Sequence, residues 1–286
     1  MSPWGWIVLG RIYKVIRLIN NNVVMCYDDE DCRCMLIGKG IGFGLKAQSR
    51  IYNTEKVEKI FYLVDPENKY KFDLMTKEIN VDIIGAVEES IALMEDIIDK
   101  PLKESIHVTL LDHISFALNR IKNNITIKNI FVHEIKFLYT EEYLIAERVV
   151  KHINSRLNIK LPEDEAGFIA MHIHAAANDG NLRETVMANE ILEDMIKFIE
   201  NRIEKKLDRN SLPYFRLITH LRFAIDRAIK NITLENILLD TIKDKFKESF
   251  SLAKELVEYI KENHDISFND SEMGYIAVHL QNIVSN

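Results

Sequence analysis

The feature that constrains the fold most is an internal duplication. The stretch "DHISFALNRIKNNITIKN" at 112–129 aligns without a gap with "THLRFAIDRAIKNITLEN" at 219–236, an offset of 107 residues. The same offset places "EAGFIAMHI", which begins at Glu165, over "EMGYIAVHL", which begins at Glu272. Two segments that match in order at one offset indicate a duplicated domain. Helical apolar spacing elsewhere in the region predicts two homologous all-α domains of roughly a hundred residues each.

Each copy carries two histidines at matched positions. His113 and His172 in the first copy correspond to His220 and His279 in the second, and the two histidines are 59 residues apart in both. A single histidine on an apolar helix is more often a hydrogen-bonded core residue than a reactive group, but four at matched positions favour a function. His174 does not make "HIH" a metal site, because residues two apart on a helix point to nearly opposite faces. The histidines without a counterpart are interpreted as surface or core residues: His107, His133, His152, His174 and His264.

The region before the duplication differs in charge and pattern. The whole chain has a formal net charge of −7, whereas residues 11–50 contain seven basic and four acidic side chains. Two short runs rich in strand-forming residues flank the acidic cluster at 28–31, which predicts a small sheet with a hairpin turn. The basic excess suits an acidic partner. The segment "LVDPENKYK" at 63–71 is interpreted as a short linker to the first helical domain.

Two motifs in this small domain are candidates for ligand binding. In "GKGIGFG" at 38–44 glycines alternate, but Lys39 is followed by glycine and no helix pattern follows, so neither a P-loop nor a dinucleotide fingerprint is present. The phosphates of a polynucleotide remain a candidate ligand. The triplet Asn20–Asn22 suits a turn, and asparagine amides also suit base edges. Phe43 would either stack on an unpaired base or fill the core, and its position alone favours the core.

These motifs carry a family resemblance. "RLINNNVVMC" followed by "LIGKGIGFGLK" resembles the RNA-binding domain of the transcriptional antiterminators of bacterial sugar operons, the family of the β-glucoside, sucrose and glucose antiterminators. The two histidine-bearing copies resemble that family's regulation domains, which the sugar phosphotransferase system phosphorylates. The motifs occur in the family's order from about Tyr13 to the C-terminus. The histidine motifs are most similar to those of the glucose antiterminators.

The resemblance implies an α+β fold, in which a small antiparallel β-sheet RNA-binding domain precedes two homologous all-α five-helix domains. It places an N-terminal extension at 1–12 and the RNA-binding domain at 13–66. It places the first regulation domain at 72–178 and the second at 183–286. The family's RNA-binding domain is a symmetric dimer that grips an RNA hairpin overlapping a terminator, so a homodimer is expected.

Site residues are implied by matching the family's motifs to this sequence. The RNA contacts fall on Arg17, Asn20, Asn22, Gly38, Lys39 and Phe43. The phosphorylated histidines fall on His113, His172, His220 and His279. We expect the first pair to receive phosphate from the EIIB domain of a sugar permease, which inhibits the protein, and the second pair to receive it from the phosphocarrier HPr. Asp112 is expected to orient the ring of His113.

Composition and pattern argue against other classes. There is no run of about 18 apolar residues, so no membrane insertion is predicted. An odd number of cysteines, three, without a secretion signal suits reduced thiols in the cytoplasm. No nucleophile and base stand out, so an enzyme, a cofactor or a metal site is not predicted. An alternative keeps the regulation domains but has them control DNA or a protein partner, although the N-terminal region shows no helix-turn-helix pattern.

Overall fold

The chain divides into two compact units. The computed structural model describes residues 11–125, 129, 131–178 and 181–284, so residues 1–10 of the expected N-terminal extension lie outside the described residues. The first unit comprises Met1–Asn129 and Tyr139–Gly180, and the second comprises Ile130–Leu138 and Asn181–Asn286.

A five-stranded antiparallel sheet begins the first unit. Its strands are β1 (Tyr13–Leu18), β2 (Val23–Tyr27), β3 (Arg33–Ile37), β4 (Arg50–Ile51) and β5 (Lys59–Tyr62), in the spatial order β4-β1-β2-β3-β5. The acidic cluster forms the predicted turn between β2 and β3, since Asp28 Oδ1 accepts the N–H groups of Glu30 and Cys32 at 3.0 and 2.8 Å. The sheet builds a core from its own side chains: Tyr13, Val15, Val24, Cys26, Cys34, Leu36, Ile41, Ile51 and Val57.

Eleven helices lie within the described ranges. They are α1 (Pro66–Glu78), α2 (Val81–Ile98), α3 (Ser105–Lys122), α4 (Val132–Leu138), α5 (Thr140–Leu157), α6 (Glu165–Ala177), α7 (Leu182–Arg202), α8 (Leu212–Ile229), α9 (Leu239–Lys245), α10 (Lys247–His264) and α11 (Asp270–Val284). A sheet domain followed by helical domains confirms the predicted α+β class. Each copy contributes five helices, α2 to α6 and α7 to α11.

The predicted linker is wrong from residue 66 onward, because the chain there forms helix α1. Asp65 caps this helix, and its Oδ1 accepts the N–H groups of Glu67 and Asn68, both at 2.9 Å. Pro66 occupies the first turn, where a missing N–H costs nothing. Phe72 is fully buried, so tertiary packing stabilises a segment whose composition alone resembles a linker.

Helix α4 belongs to the second unit, although it lies in the first copy of the repeat. Its buried Glu134 accepts a hydrogen bond from the Tyr214 hydroxyl of α8 and pairs with Arg209. The equivalent helix of the second copy, at the same offset of 107 residues, is α9. Matched sequence positions therefore do not guarantee matched packing.

Candidate RNA interface and histidine centres

The asparagine triplet forms the turn between β1 and β2. Asn20 Oδ1 accepts the N–H groups of Asn22 and Val23 at 2.7 and 2.8 Å, and the carbonyl of Val23 accepts the N–H of Asn20 at 3.1 Å. The side-chain oxygen of Asn20 thus holds the turn together. The turn interpretation is confirmed, and it leaves the two Nδ2 groups of Asn20 and Asn22 pointing away from the turn as donors.

Hydrogen bonds join this turn to the glycine loop. The N–H of Gly38 donates to the carbonyl of Asn22 at 3.0 Å, and the N–H of Gly42 donates to the carbonyl of Asn21 at 2.9 Å. Asn22 Oδ1 also accepts the N–H of Gly40 at 3.0 Å. A Cβ on Gly42 would lie 2.6 Å from the carbonyl oxygen of Asn20, so only glycine permits this approach. The two motifs therefore form one continuous surface.

Two side chains project from the glycine loop into solvent. Phe43 is 81% exposed, so the core position that its sequence context favoured is wrong. Lys39 is also exposed. Between them Gly40 has a φ of +70°, a conformation that glycine adopts readily. The loop thus presents an aromatic ring and a cation together, the combination that suits an unpaired base and its phosphate.

The other side chains predicted to contact RNA lie against the first helical domain. Asn20 Nδ2 and Asn22 Nδ2 donate to Glu89 Oε1 of α2 at 3.0 and 3.2 Å. Arg17 Nη1 donates to the carbonyl oxygen of Thr76 in α1 at 2.7 Å. Three of the six predicted contact residues thus have side chains that donate to the first helical domain, and sequence patterns gave no signal for these partners.

The first histidine centre combines α3 and α6. His113 Nε2 lies 2.9 Å from Glu165 Oε2, and Arg120 Nη2 donates to Glu165 Oε1 at 2.9 Å. The expectation that Asp112 orients the His113 ring is not met, since Asp112 is exposed and the carboxylate beside the ring is that of Glu165. Because a carboxylate accepts, this contact favours the His113 tautomer with the proton on Nε2 and a lone pair on Nδ1.

His172 completes this centre. Its ring centroid lies 5.1 Å from that of His113, and its Nδ1 is 3.2 Å from the Thr109 hydroxyl oxygen. The His172 side chain is buried, and this burial lowers its pKa to about 3. The charge of His113 is the smaller cause of the same shift. His172 is therefore a neutral imidazole near neutral pH.

The second centre, on α8 and α11, repeats the two histidines, the glutamate and the arginine at the same offset, but Arg216 stands at the position of Thr109. The rings of His220 and His279 are stacked with centroids 3.8 Å apart. Arg227 Nε and Nη2 donate to the two oxygens of Glu272 at 2.6 and 2.8 Å. Burial lowers the pKa of His279 to about 4, with a further contribution from the charge of His220. Burial and then the charge of Arg227 lower the pKa of His220.

Histidines outside these centres have local partners. His107 Nδ1 lies 2.7 Å from Glu88 in the core, and His174 Nδ1 lies 2.9 Å from Glu142. His264 Nε2 lies 2.9 Å from Asp194. Among the residues that the structure describes, no three His, Cys, Asp or Glu side chains are grouped so as to hold a metal ion. The described helices also include none with the length and apolar character needed to cross a membrane.

Comparisons with known proteins agree with this architecture. The family model described as "CAT RNA binding domain" matches residues 13–70, and the model described as "PRD domain" matches residues 88–176 and 193–283. The chain is 32% identical to "Protein GlcT" of Staphylococcus haemolyticus over 94% of this chain and 95% of that protein. It is 28% identical to "Transcription antiterminator LicT" of Bacillus subtilis over 95% of this chain and 99% of that protein.

A solved structure extends the likeness to three dimensions. The chain titled "Crystal structure of GlcT CAT-PRDI" matches with a TM-score of 0.50 and 36% sequence identity. The match covers 58% of this chain and 98% of that chain. The match thus relates part of this chain to nearly all of a chain whose title names CAT and PRDI.

Proposed function

We propose a mode of action for this chain, which belongs to the family of transcription antiterminators built from a CAT RNA binding domain and two PRD domains. The protein is an RNA-binding antiterminator and not an enzyme. It binds an RNA hairpin in the leader of a sugar operon and stabilises it. Because this hairpin overlaps the terminator, its stabilisation prevents the terminator from forming, and polymerase continues into the operon.

The surface formed by the asparagine turn and the glycine loop carries this proposal. Its backbone hydrogen bonds hold Asn20 and Asn22 beside Lys39 and Phe43. In the bound state the amides of Asn20 and Asn22 contact base edges, Phe43 stacks on an unpaired base, and Lys39 contacts a phosphate. Two further residues complete the proposed contact set. Arg17 supplies a second cation, and Gly38 lets the RNA come close to the protein backbone.

The four paired histidines are the proposed phosphorylation sites. His172 and His279 have lowered pKa values and are neutral near pH 7, as a phosphoryl acceptor must be. A phosphoryl group adds negative charge beside Glu165 in the first centre and Glu272 in the second, and each carboxylate is already paired with an arginine. The added charge repels the carboxylate and attracts that arginine, which alters the packing of the domain.

The remaining proposals concern partners, domains and location. The EIIB domain of a sugar permease modifies His113 and His172, and HPr modifies His220 and His279. The protein acts as a homodimer in the cytoplasm. Its domains are the RNA-binding domain at 13–66 and the regulation domains at 72–178 and 183–286.

The test uses fragment 13–66, whose core is made from its own residues. We expect the fragment to bind the hairpin RNA from the leader of its target operon, with an affinity that falls as salt rises, and not to bind a DNA duplex of the same sequence. Phe43→Ala is expected to weaken RNA binding about tenfold, because base stacking is worth about 1–3 kcal/mol. Tyr52→Ala, at an exposed position outside the proposed contact set, is the control. Equal binding to RNA and DNA would contradict the proposal.

A further inference from the structure

We propose that Glu89 of the first regulation domain is an intramolecular competitor of RNA, so that the structure represents a closed state in which the RNA-reading amides are occupied. This inference rests on the proposed function, because it concerns the same asparagines. The contact lies entirely within the first unit, between the turn that follows β1 and helix α2.

The Glu89 carboxylate replaces the acceptors that a base would offer. Oε1 accepts hydrogen bonds from both Asn20 Nδ2, at 3.0 Å, and Asn22 Nδ2, at 3.2 Å. An amide that donates to a carboxylate cannot donate the same hydrogen to a base edge. Charge-assisted hydrogen bonds are stronger than neutral ones, so RNA must displace a good acceptor to reach either amide.

Helix α5 fixes the position of this carboxylate. Arg156 Nη2 donates to Glu89 Oε1 at 2.7 Å, and His152 Nε2 lies 3.4 Å from Oε2. Burial by itself would raise the pKa of Glu89, but the neighbouring His152 and the hydrogen bonds from Arg156 and Asn20 outweigh it and hold the pKa below its ordinary value. The group that faces the asparagines is therefore an ionised carboxylate.

Glycine at position 85 makes the approach sterically feasible. A Cβ at Gly85 would lie 2.1 Å from Asn20 Nδ2, which is far inside van der Waals contact. Asn20 cannot simply swing away, because its Oδ1 accepts the N–H groups of Asn22 and Val23 that close the turn. One turn of α2 thus supplies both the space for Asn20, at Gly85, and the acceptor for it, at Glu89.

Several further polar contacts hold the sheet against the helices. Arg17 donates to the carbonyl of Thr76, and Arg33 pairs with Asp73. Lys59 Nζ lies 2.9 Å from Asp96 and 3.4 Å from Glu95. Most of these partners are partly solvated, and such pairs contribute little each. Apolar packing adds to them, because the ring centroid of Phe61 in β5 lies 4.7 Å from that of His107 in α3, and Met25 and Met35 are buried outside the sheet's own core. Opening of the closed state therefore breaks this apolar contact as well as the polar pairs.

The glycine loop remains outside this contact. Phe43 and Lys39 are exposed in the closed state. RNA can thus reach the loop first and the asparagines only after Glu89 has moved. Helix α5, which positions Glu89, packs on α6, which carries His172. A change in packing at the first histidine centre can therefore reach the Glu89 carboxylate through α6 and α5, which pack on each other.

The test compares full-length variants for binding to the leader hairpin RNA. Glu89→Ala removes the competing acceptor, and Gly85→Ala inserts a methyl group at Asn20 without removing a polar group. If the closed state outnumbers the open one by about ten to one, each variant binds RNA about tenfold more tightly than the wild type. Asp82→Ala is the matched control, since it removes an exposed carboxylate from the first turn of the same helix and should bind like the wild type.

The two variants protect the test against a folding artefact. Arg156 is 39% exposed and remains solvated in Glu89→Ala, and alanine is a better helix former than glycine at position 85. If both variants bind RNA no more tightly than the wild type while fragment 13–66 binds, the competition is overturned and the proposed function stands. If neither the fragment nor any full-length variant binds, the proposed function fails, and the competition fails with it.

Discussion

The two histidine centres repeat two histidines, a glutamate and an arginine at the same spacing, yet the carboxylate is used differently. In the first centre Glu165 is divided between His113 and Arg120, with one oxygen for each. In the second centre Glu272 gives both oxygens to Arg227. Sequence duplication therefore preserved the components and not their pairing.

The histidine rings differ in the same way. The first pair of rings is tilted, with centroids 5.1 Å apart, whereas the second pair is stacked at 3.8 Å. A carboxylate that contacts an imidazole fixes its tautomer and orientation, whereas one that is saturated by arginine leaves the imidazole to pack against its neighbour. The first centre is therefore organised by an acid–histidine contact and the second by ring stacking.

The largest expected difference concerns stability. Glu165→Ala leaves the Arg120 side chain, only 8% exposed, without its partner, and should lower the free energy of unfolding by about 3 kcal/mol. Glu272→Ala leaves Arg227 without its partner, but the Arg227 side chain is 26% exposed and can be solvated. This substitution should lower the free energy of unfolding by about 1 kcal/mol. Urea denaturation of the full chain measures both values. Equal losses would show that the two carboxylates are used alike.

A smaller difference is expected in the dependence of stability on pH. The pKa of His172 is lowered to about 3 and that of His279 to about 4, so the unfolded chain binds more protons below about pH 6.5. These groups therefore contribute stability that is present above about pH 6.5 and decreases as the pH falls toward 3 or 4.

Single substitutions separate the two contributions. In the wild type, His172 should lower the free energy of unfolding by up to about 2 kcal/mol between pH 7 and pH 5, because one pKa unit corresponds to about 1.4 kcal/mol. His172→Asn should remove this loss. His279→Asn should remove nearly the same loss over this interval, because both folded-state pKa values lie below 5. The two substitutions should diverge only as the pH falls from 5 toward 3, where His279 in the folded protein takes up a proton first and the loss that it causes stops growing. Urea midpoints at pH 7, 5 and 3 give the result, and a larger effect for His279→Asn than for His172→Asn at pH 3 would contradict the order of the two pKa values.

The smallest expected difference is chemical and uses phosphoramidate as a small phosphoryl donor. Its P–N bond breaks with loss of ammonia, and a new P–N bond forms to an imidazole nitrogen. Since Glu165 fixes the tautomer and orientation of the His113 ring, Glu165→Gln should slow labelling of His113 about threefold. Glu272→Gln should leave labelling of His220 unchanged, because Glu272 is paired with Arg227. Mass spectrometry of phosphopeptides reads both rates, and an equal effect on both histidines would remove the distinction.

Much of the architecture could be read from local patterns. The duplication at one offset, the acidic turn at 28–31 and the apolar spacing of the helices are local or periodic signals, and the α+β class followed from them together with the family resemblance. The linker interpretation of 63–71 failed because the burial of Phe72, which stabilises α1, depends on packing with distant residues.

The candidate sites show the same division. Family motifs supplied the predicted contact residues, including Phe43, whereas the position of Phe43 alone favoured the core because an aromatic residue between glycines gives no sign of its burial. Asp112 was assigned to His113 because it is the neighbour in sequence, whereas the actual partner, Glu165, is 52 residues away. The assignment of Asp112 could not be corrected without knowing that α3 and α6 meet.

The small basic sheet domain, the two copies of a histidine-bearing helical domain and the antiterminator motifs were predictable before the fold was known, because they are properties of neighbouring or regularly spaced residues. Three contacts were not predictable in this way: Glu89 accepts from the amides of Asn20 and Asn22, Glu165 contacts His113, and α4 packs in the second unit. Each of these contacts joins residues far apart in the chain. Their pairing depends on how helices pack and which polar groups become buried together, and periodicity carries no information about either.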